Sequence, residues 1–432
     1  MRGGFVALVG ALVPFQLSPA NECEPCPVAL EARSASRILA RLVGTALVAC
    51  RASAPFPASA GVPEASPPGL GFDSVRLAGV VDYLRAEADS GAFPGAVLAV
   101  GRHGRLALLA AVGRYGTDDA RPVDRGTLYD LASLTKVVGL TTACMQLVDE
   151  GSLALDAPVQ RYLPEFHGGA DKERVTVRHL LTHSSGLPAW RPLYREAGSR
   201  SAALALVDTT PLATAPGARF VYSDLGAIVL TQVVERISGE PLDRLLARHV
   251  FGPLGMAATR YRPPTAWRNR IAPTETDTAF RHRALRGEVH DENAGRLGGV
   301  SGHAGLFSNA LDLSRFAAML LAGGAWDSLQ LIRAETVAEF TRRQEVPPGS
   351  SRALGWDTPA DSGYTSAGAK LSRRAFGHTG FTGTSLWMDP DRDLFIILLT
   401  NRVNPTRANT AILHVRPRVA DLVLDALTHP EL

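Results

Sequence analysis

The sequence predicts an α+β fold in which an antiparallel sheet is flanked by helices. Three stretches carry that expectation. Residues 73–91 place Val75, Leu77, Val80, Val81, Leu84 and Ala88 on one helical stripe, between a cap at Asp73 or Ser74 and a stop at Gly91. Ala96–Val100 and Arg105–Val112 then form two short apolar runs around Arg102-His-Gly104, the pattern of a hairpin. Near the other end, Leu394–Thr400 is an almost unbroken apolar run, suited to a strand buried on both faces. A helix leading directly into a hairpin implies a sheet packed by that helix.

The 432 residues allow one large core with inserted subdomains, and 46% apolar with 20% charged residues is ordinary for a folded protein. Net charge is only +3, from 45 basic and 42 acidic residues, with no dense Lys/Arg block. Nucleic acid is therefore not an expected partner. Four cysteines, three of them before residue 51, are too few and too clustered for a disulfide scaffold. Cys23-x-x-Cys26 lacks a second Cys/His pair nearby, so no zinc site is expected there.

Residues 1–50 read as an export signal, and two stretches compete for the role. One has Arg2, the apolar Phe5–Phe15 and small residues at Ser18 and Ala20. The other has Arg33, Arg37 and Arg41, then Leu42–Ala49, ending in Leu47-Val-Ala-Cys50. The second resembles a bacterial lipobox, which makes Cys50 a lipidation site and gives the protein a lipid anchor to a membrane. Residues 51–72, rich in Pro, Ala, Ser and Gly, read as a flexible linker. A folded domain follows over 73–430, and the expected location is the periplasm or cell envelope.

Within that domain, Thr127–Ala132 leads into an apolar helix over about Leu134–Val148, closed by Asp149-Glu-Gly151, with Cys144 as a small buried side chain. Val175–Leu187 holds a helix stopped near Ser184–Gly186. A helix after Asp224 puts Leu225, Ile228, Val229, Val233 and Ile237 on one face and ends at Gly239. Residues 263–302 are polar and irregular. Their His290, Asp291 and Glu292, with His303 beyond, have the side chains of metal ligands but no His-x3-His spacing, and read as a hydrogen-bonded loop at a cleft rim. Ala310–Gly323 and Ala411–Leu427 are further helices, and Thr384–Met388 precedes the apolar strand.

The chemistry centres on Leu131–Leu140, where Ser133 and Lys136 stand three residues apart at a helix start. Residues i and i+3 share a face, and unpaired N–H groups there favour a developing anion. A serine hydroxyl needs a nearby base, and a partly desolvated lysine can be one. On spacing alone, a Ser-x-x-Lys pair arises by chance in most long chains, and the plainer reading is favoured: Ser133 as a helix cap and Lys136 as a solvated first-turn residue. Two further spots join them: Tyr222-Ser-Asp224, with a phenol and a carboxylate just before a helix, and His378-Thr-Gly380 at the opening of a strand.

In this order and spacing the chain resembles the serine hydrolases related to class C β-lactamases and low-molecular-weight penicillin-binding proteins. They carry Ser-x-x-Lys, Tyr-x-Asn and a Lys/His-Thr-Gly triplet. The resemblance spans roughly Asp73 to Leu427 and implies a transpeptidase-like α+β fold with a helical subdomain forming the cleft. It also implies roles. Ser133 would form the acyl-enzyme, Lys136 would accept its proton, and Tyr222 would act as general base or acid toward the leaving group. The N–H groups of Ser133 and Phe381 would form the oxyanion hole. Asp224, His378, Thr379 and Gly380 would contact substrate, which would be a small ester, a peptide or a peptidoglycan-like molecule. No metal or organic cofactor is required.

Two departures bear on activity. Asp224 stands where asparagine is usual, replacing a donor and acceptor by an anion that would pair with Lys136 and raise its pKa. His378 replaces the lysine of efficient β-lactamases and removes a fixed positive charge. Both favour an esterase, a D-amino-acid peptidase or a carboxypeptidase over a β-lactamase. An alternative keeps the fold as a penicillin-binding or scaffold protein with weak or no turnover.

Overall fold

A computed structural model of the chain describes residues 61–429. The expected export segments, Cys23, Cys26 and the lipidation site Cys50 lie outside the described residues.

Helix α1 spans Ser74–Asp89, and the Asp73 side chain caps it by accepting the N–H groups of Val75 and Arg76. Strands β1 (Gly95–Arg102) and β2 (Arg105–Gly116) form the expected hairpin, and β3 (Asp119–Pro122) extends it. Three strands from the far end complete the sheet: β4 (Phe376–Thr379), β5 (Ser385–Asp389) and β6 (Leu394–Thr400). The order is β4-β5-β6-β1-β2-β3 with every neighbour antiparallel. Central pairing aligns Leu98 with Leu398 and Val97 with Leu399.

Strand alternation sends the two faces into two cores. Ala96, Leu98 and Val100 join Leu77, Val80 and Leu84 of α1 and Val415, Val419 and Val423 of the C-terminal helix. Val97 and Ala99 face the other way, into the core of the helical region. That region includes α2 (Thr142–Asp149), α3 (Asp224–Ser238) and α4 (Ala310–Leu321). The C-terminal helix, α5, spans Ile412–Asp425. Strand β6 is buried along its whole length, because both layers cover it. The architecture is α+β with an antiparallel sheet and flanking helices.

Three expectations need correction. Val75 is 82% exposed, because at about 100° per residue it lies on the face of α1 opposite the packed stripe of Leu77, Val80 and Leu84. The helix after Ser133 is not α-helical throughout: Lys136–Thr141 winds as a π-helix before α2 begins. The linker read over 51–72 ends earlier. Residues 61–72 pack onto the domain: the Val62 N–H bonds the Ser314 Oγ at 3.2 Å, and residues 63–65 pair with Leu106 through the Ala65 N–H and Pro63 carbonyl at 2.9 Å. Phe72 is buried between α1 and α5. Low complexity concealed a few well-placed apolar residues. Phe72→Ala is therefore expected to lower the unfolding free energy by about 3–5 kcal/mol in chemical denaturation, the usual cost of deleting a buried ring; an unchanged midpoint would restore the linker reading.

Candidate active site

The turn carrying Ser133 is set by its neighbours. Tyr129–Asp130 pairs with Leu306–Ser308 in a short antiparallel ladder, and the Leu131 N–H continues to the Leu306 carbonyl at 2.9 Å. Ala132 then takes a left-handed φ of 46°, held by its N–H donating to Asp130 Oδ1 at 2.8 Å. This reversal lifts Ser133 onto the helix start. Asp130 is buried, and burial pushes its carboxyl pKa up against the lowering effect of the His290 and Ala132 N–H groups.

One helical turn later, Lys136 is 3% exposed. Its Nζ donates to Ser133 Oγ and to the His303 carbonyl, each at 3.1 Å, and lies 2.7 Å from Asp224 Oδ1. Burial alone would push the ammonium pKa down, but the Asp224 carboxylate and the Tyr222 phenol outweigh it and hold the value above that of an ordinary lysine. Asp224 is the first residue of α3, capped by Ser223, whose Oγ accepts the Gly226 N–H at 3.1 Å. The π-turn after Lys136 adds width to the helix at the site, a placement such turns often have.

Tyr222 sits among four nitrogenous side chains. Lys136 Nζ lies 4.9 Å from its ring centroid and the Arg352 guanidinium 6.0 Å, while the His183 and His378 rings are at 4.6 and 5.9 Å. Both imidazoles are held neutral: burial lowers their pKa values well below the ordinary range, and Arg352 and Lys136 reinforce it. His183 Nδ1 accepts the Ser223 N–H at 3.1 Å, which orients the irregular segment carrying Tyr222. His378 contacts the Thr379 carbonyl through Nδ1 at 2.8 Å, so Nδ1 carries the proton and the buried Nε2 presents a lone pair. A neutral His378 supplies no charge to a substrate carboxylate.

Ser133 and Phe381 both line the cleft, and each brings a backbone N–H to it. Among the described residues, neither the Ser133 N–H nor the Phe381 N–H donates to a backbone acceptor. The Phe381 peptide is fixed from behind: Arg402 Nε donates to its carbonyl at 2.9 Å, and Arg416 Nη2 donates to the Gly380 and Thr384 carbonyls at 2.6 and 2.8 Å. Thr382 Oγ1 and Thr384 Oγ1 reach the Asp130 and Leu131 carbonyls at 2.7 and 3.0 Å, joining this loop to the serine turn. Gly380 is required here, because a Cβ would lie 2.1 Å from Thr384 Oγ1 and 2.3 Å from the Leu131 carbonyl oxygen.

Ser133, Tyr222, His378, Thr379, Gly380 and Phe381 line one cleft of about 550 Å³, with Lys136 and Asp224 directly behind Ser133. Four arginines line it as well: Arg352, Arg402, Arg407 and Arg416. Sequence reasoning missed them. The signal for Arg416 was its place on the apolar face of α5, between Val415 and Val419; Arg352 stood alone beside the apolar Ala353-Leu-Gly-Trp356. Burial pushes both guanidinium pKa values down to about 10, so both remain cations at neutral pH. The polar stretch after Pro263 contributes paired side chains: His303 Nε2 lies 2.9 Å from Asp291, His290 Nε2 3.1 Å from Glu275, and Arg407 Nη2 donates to Glu292 at 2.6 Å.

The protein family described as Beta-lactamase matches residues 80–418. The chain belongs to that family. A protein of Salmonella agona named "Putative D-alanyl-D-alanine carboxypeptidase" is 33% identical over 383 residues, covering 81% of this chain and 88% of that protein. Among solved structures, EstCE1, described as a hydrolase with promiscuous acyltransferase activity, aligns with a TM-score of 0.66 at 24% identity, over 81% of this chain and 98% of that one. A penicillin-binding protein homologue from Caulobacter crescentus gives a TM-score of 0.66 at 21% identity, over 83% and 99%. These two likenesses show the β-lactamase/transpeptidase fold. The chain is thus a serine hydrolase of the β-lactamase family, a class that works through an acyl-enzyme.

The Lys136–Asp224 pair gives a pH test. In the wild type Asp224 keeps Lys136 protonated far into the alkaline range. In Asp224→Asn the carboxylate that opposes burial is gone, so the lysine loses its proton at lower pH. The expected result is a new inflection in the pH profile of kcat/KM, entering from the alkaline side and absent from the wild type. Superimposable profiles would show that Asp224 does not set the charge on Lys136.

Proposed function

We propose that this hydrolase uses Ser133 as its nucleophile to cleave short peptides ending in a free carboxylate, in the manner of a D-alanyl-D-alanine carboxypeptidase. The observation that carries the reading is the cationic cleft: Arg352, Arg402, Arg407 and Arg416 border it, against Asp357 as the acidic side chain in its lining. Part of that charge is neutralised, since Arg352 pairs with Asp357 and Arg407 with Glu275 and Glu292. The remainder sits in a partly desolvated concavity, where attraction to an anion is stronger than in water. These arginines take the place of the lysine charge that His378 lacks. The name of the Salmonella relative supports the same substrate class.

In this mechanism Lys136 acts as a fixed cation. Its ammonium holds Ser133 Oγ and offsets negative charge that develops beside it. Tyr222 is then the group that takes the Ser133 proton and returns it to the departing amine. Tyr222 does so as a phenolate: it is a neutral phenol while it holds the proton and a phenolate again once the amine has taken it. Lys136 and Arg352 offset the negative charge before the first transfer and after the second. The acyl carbonyl oxygen sits between the Ser133 and Phe381 N–H groups, whose charge stabilisation is of the kind worth about 3–4 kcal/mol per donor. Water then cleaves the ester to Ser133 and releases the shortened peptide.

The test compares kcat/KM for a D-Ala-D-Ala peptide with that for the same peptide carrying a C-terminal amide, alongside short-chain p-nitrophenyl esters and nitrocefin. The free acid is expected to be favoured by at least about tenfold, the worth of one charge-assisted hydrogen bond. Ser133→Ala should abolish turnover of every substrate while leaving the protein folded. Equal rates on acid and amide would remove the carboxylate from the substrate definition, and turnover by Ser133→Ala would remove the nucleophile.

A further inference from the structure

The second oxyanion donor belongs to a glycine-flanked loop whose backbone is tied at Gly380, Phe381 and Thr384 but whose Phe381 side chain stands apart from those ties. Gly380 and Gly383, the latter at φ 119°, flank Phe381 and Thr382, and glycine leaves such a loop free to take many conformations. The Phe381 ring is 49% exposed, so apolar burial does not fix it either. It is instead gripped by polar groups. The His290 ring stacks on it at 5.6 Å and 26°, and the Arg402 and Arg407 guanidinium groups lie 4.4 and 5.8 Å from its centroid.

Those groups are themselves anchored. Glu275 receives Arg407 through Nε and Nη2 at 2.7–2.9 Å, and its Oε2 lies 3.1 Å from His290 Nε2. The segment bearing Glu275 hangs from the chain after β6: Asn404 Nδ2 donates to the Thr274 carbonyl at 2.7 Å, and the Thr276 N–H to the Pro405 carbonyl at 3.1 Å. The His290 backbone N–H meanwhile donates to Asp130 Oδ2 at 2.6 Å, while Asp130 Oδ1 holds the Ala132 N–H beside the nucleophile. His290 therefore touches the Phe381 side of the oxyanion hole with its ring and the Ser133 side with its backbone.

We propose that Glu275 and His290 are positioning residues for the oxyanion hole, fixing the Phe381 peptide relative to the Ser133 peptide so that both N–H groups converge on one oxygen. The inference rests on the reading of Ser133 as nucleophile with those two donors. It gives the irregular stretch after Pro263 a function: a brace that holds the hole from outside the cleft. Neither side chain lines the cleft, so substrate binding and transition-state stabilisation should separate when the brace is cut.

The experiment measures kcat and KM for an ester, and affinity for a boronic acid that forms a tetrahedral adduct on the serine, in wild type, Glu275→Ala, His290→Ala and His290→Phe. Asp149→Ala serves as a control; it removes the remote carboxylate that receives Thr336 Oγ1 and the Arg333 N–H, and so destabilises the fold away from the site. Glu275→Ala and His290→Ala are expected to lose ~10- to 100-fold in kcat, within the range for weakening one oxyanion donor, with KM within about twofold of wild type and boronate affinity falling in parallel. His290→Phe, which keeps the stacked ring and the backbone N–H, should recover most of the loss, and Asp149→Ala should lower Tm while leaving kcat and boronate affinity intact. Wild-type boronate affinity in the two alanine variants, or losses matching those of Asp149→Ala, would overturn the brace. Failure of the wild type to form the adduct would overturn the underlying assignment of Ser133, and the inference with it.

Discussion

The arrangement depends on keeping one ammonium group out of water. Lys136 is enclosed by the helical core, and an unpaired cation there would cost several kcal/mol. Three partners from three parts of the chain make it tolerable: Ser133 one turn back, Asp224 at the start of α3, and the His303 carbonyl before the short Leu306–Ser308 strand. Each partner must be delivered within hydrogen-bonding distance, so the charge acts as a register pin among the serine turn, the Tyr222 segment and the 303–308 segment. The functional geometry and the local fold are therefore the same constraint.

That constraint also divides labour in the cleft. With asparagine at 224, a buried lysine would be pushed toward neutrality and could serve as a base. With aspartate it remains a cation, and in the proposed mechanism proton transfer falls to Tyr222. The second departure follows the same logic. A lysine in place of His378 would add another buried charge beside Lys136 and Arg352; a neutral imidazole avoids it, and positive charge for the substrate comes from arginines set around the cleft. Under the proposed function, anionic substrates would then be drawn by a diffuse field, which suits a terminal carboxylate that must both bind and leave.

Much of this was legible in the sequence where chemistry and periodicity are local. Ser133 and Lys136 lie within one turn, Tyr222 and Asp224 lie two residues apart, and the β1–β2 hairpin and β6 announce themselves by pattern. Features that depend on tertiary packing were not legible. Arg352, Arg402, Arg407 and Arg416 reach the cleft from separate segments, and only Arg416 breaks an apolar stripe in a way that hints at a buried role. Glu275 and His290 look like loop residues until the chain after β6 draws their segment against the Phe381 loop. Helix propensity does not report the π-turn at Lys136–Thr141, where all six residues are buried, and the packing of residues 61–72 rests on Val62 and Phe72 within a low-complexity stretch.

In the proposed mechanism catalysis passes through an ester on Ser133, reached without Lys136 giving up its charge. Trapping that ester tests it most directly: rapid acid quench during turnover of a slow acyl substrate, followed by protein mass and peptide mapping. The expected result is one acyl group per chain, located on the peptide containing Ser133, at a pH where Lys136 is fully protonated. An acyl group on another residue, or turnover with no covalent species at any quench time when deacylation is rate-limiting, would contradict it.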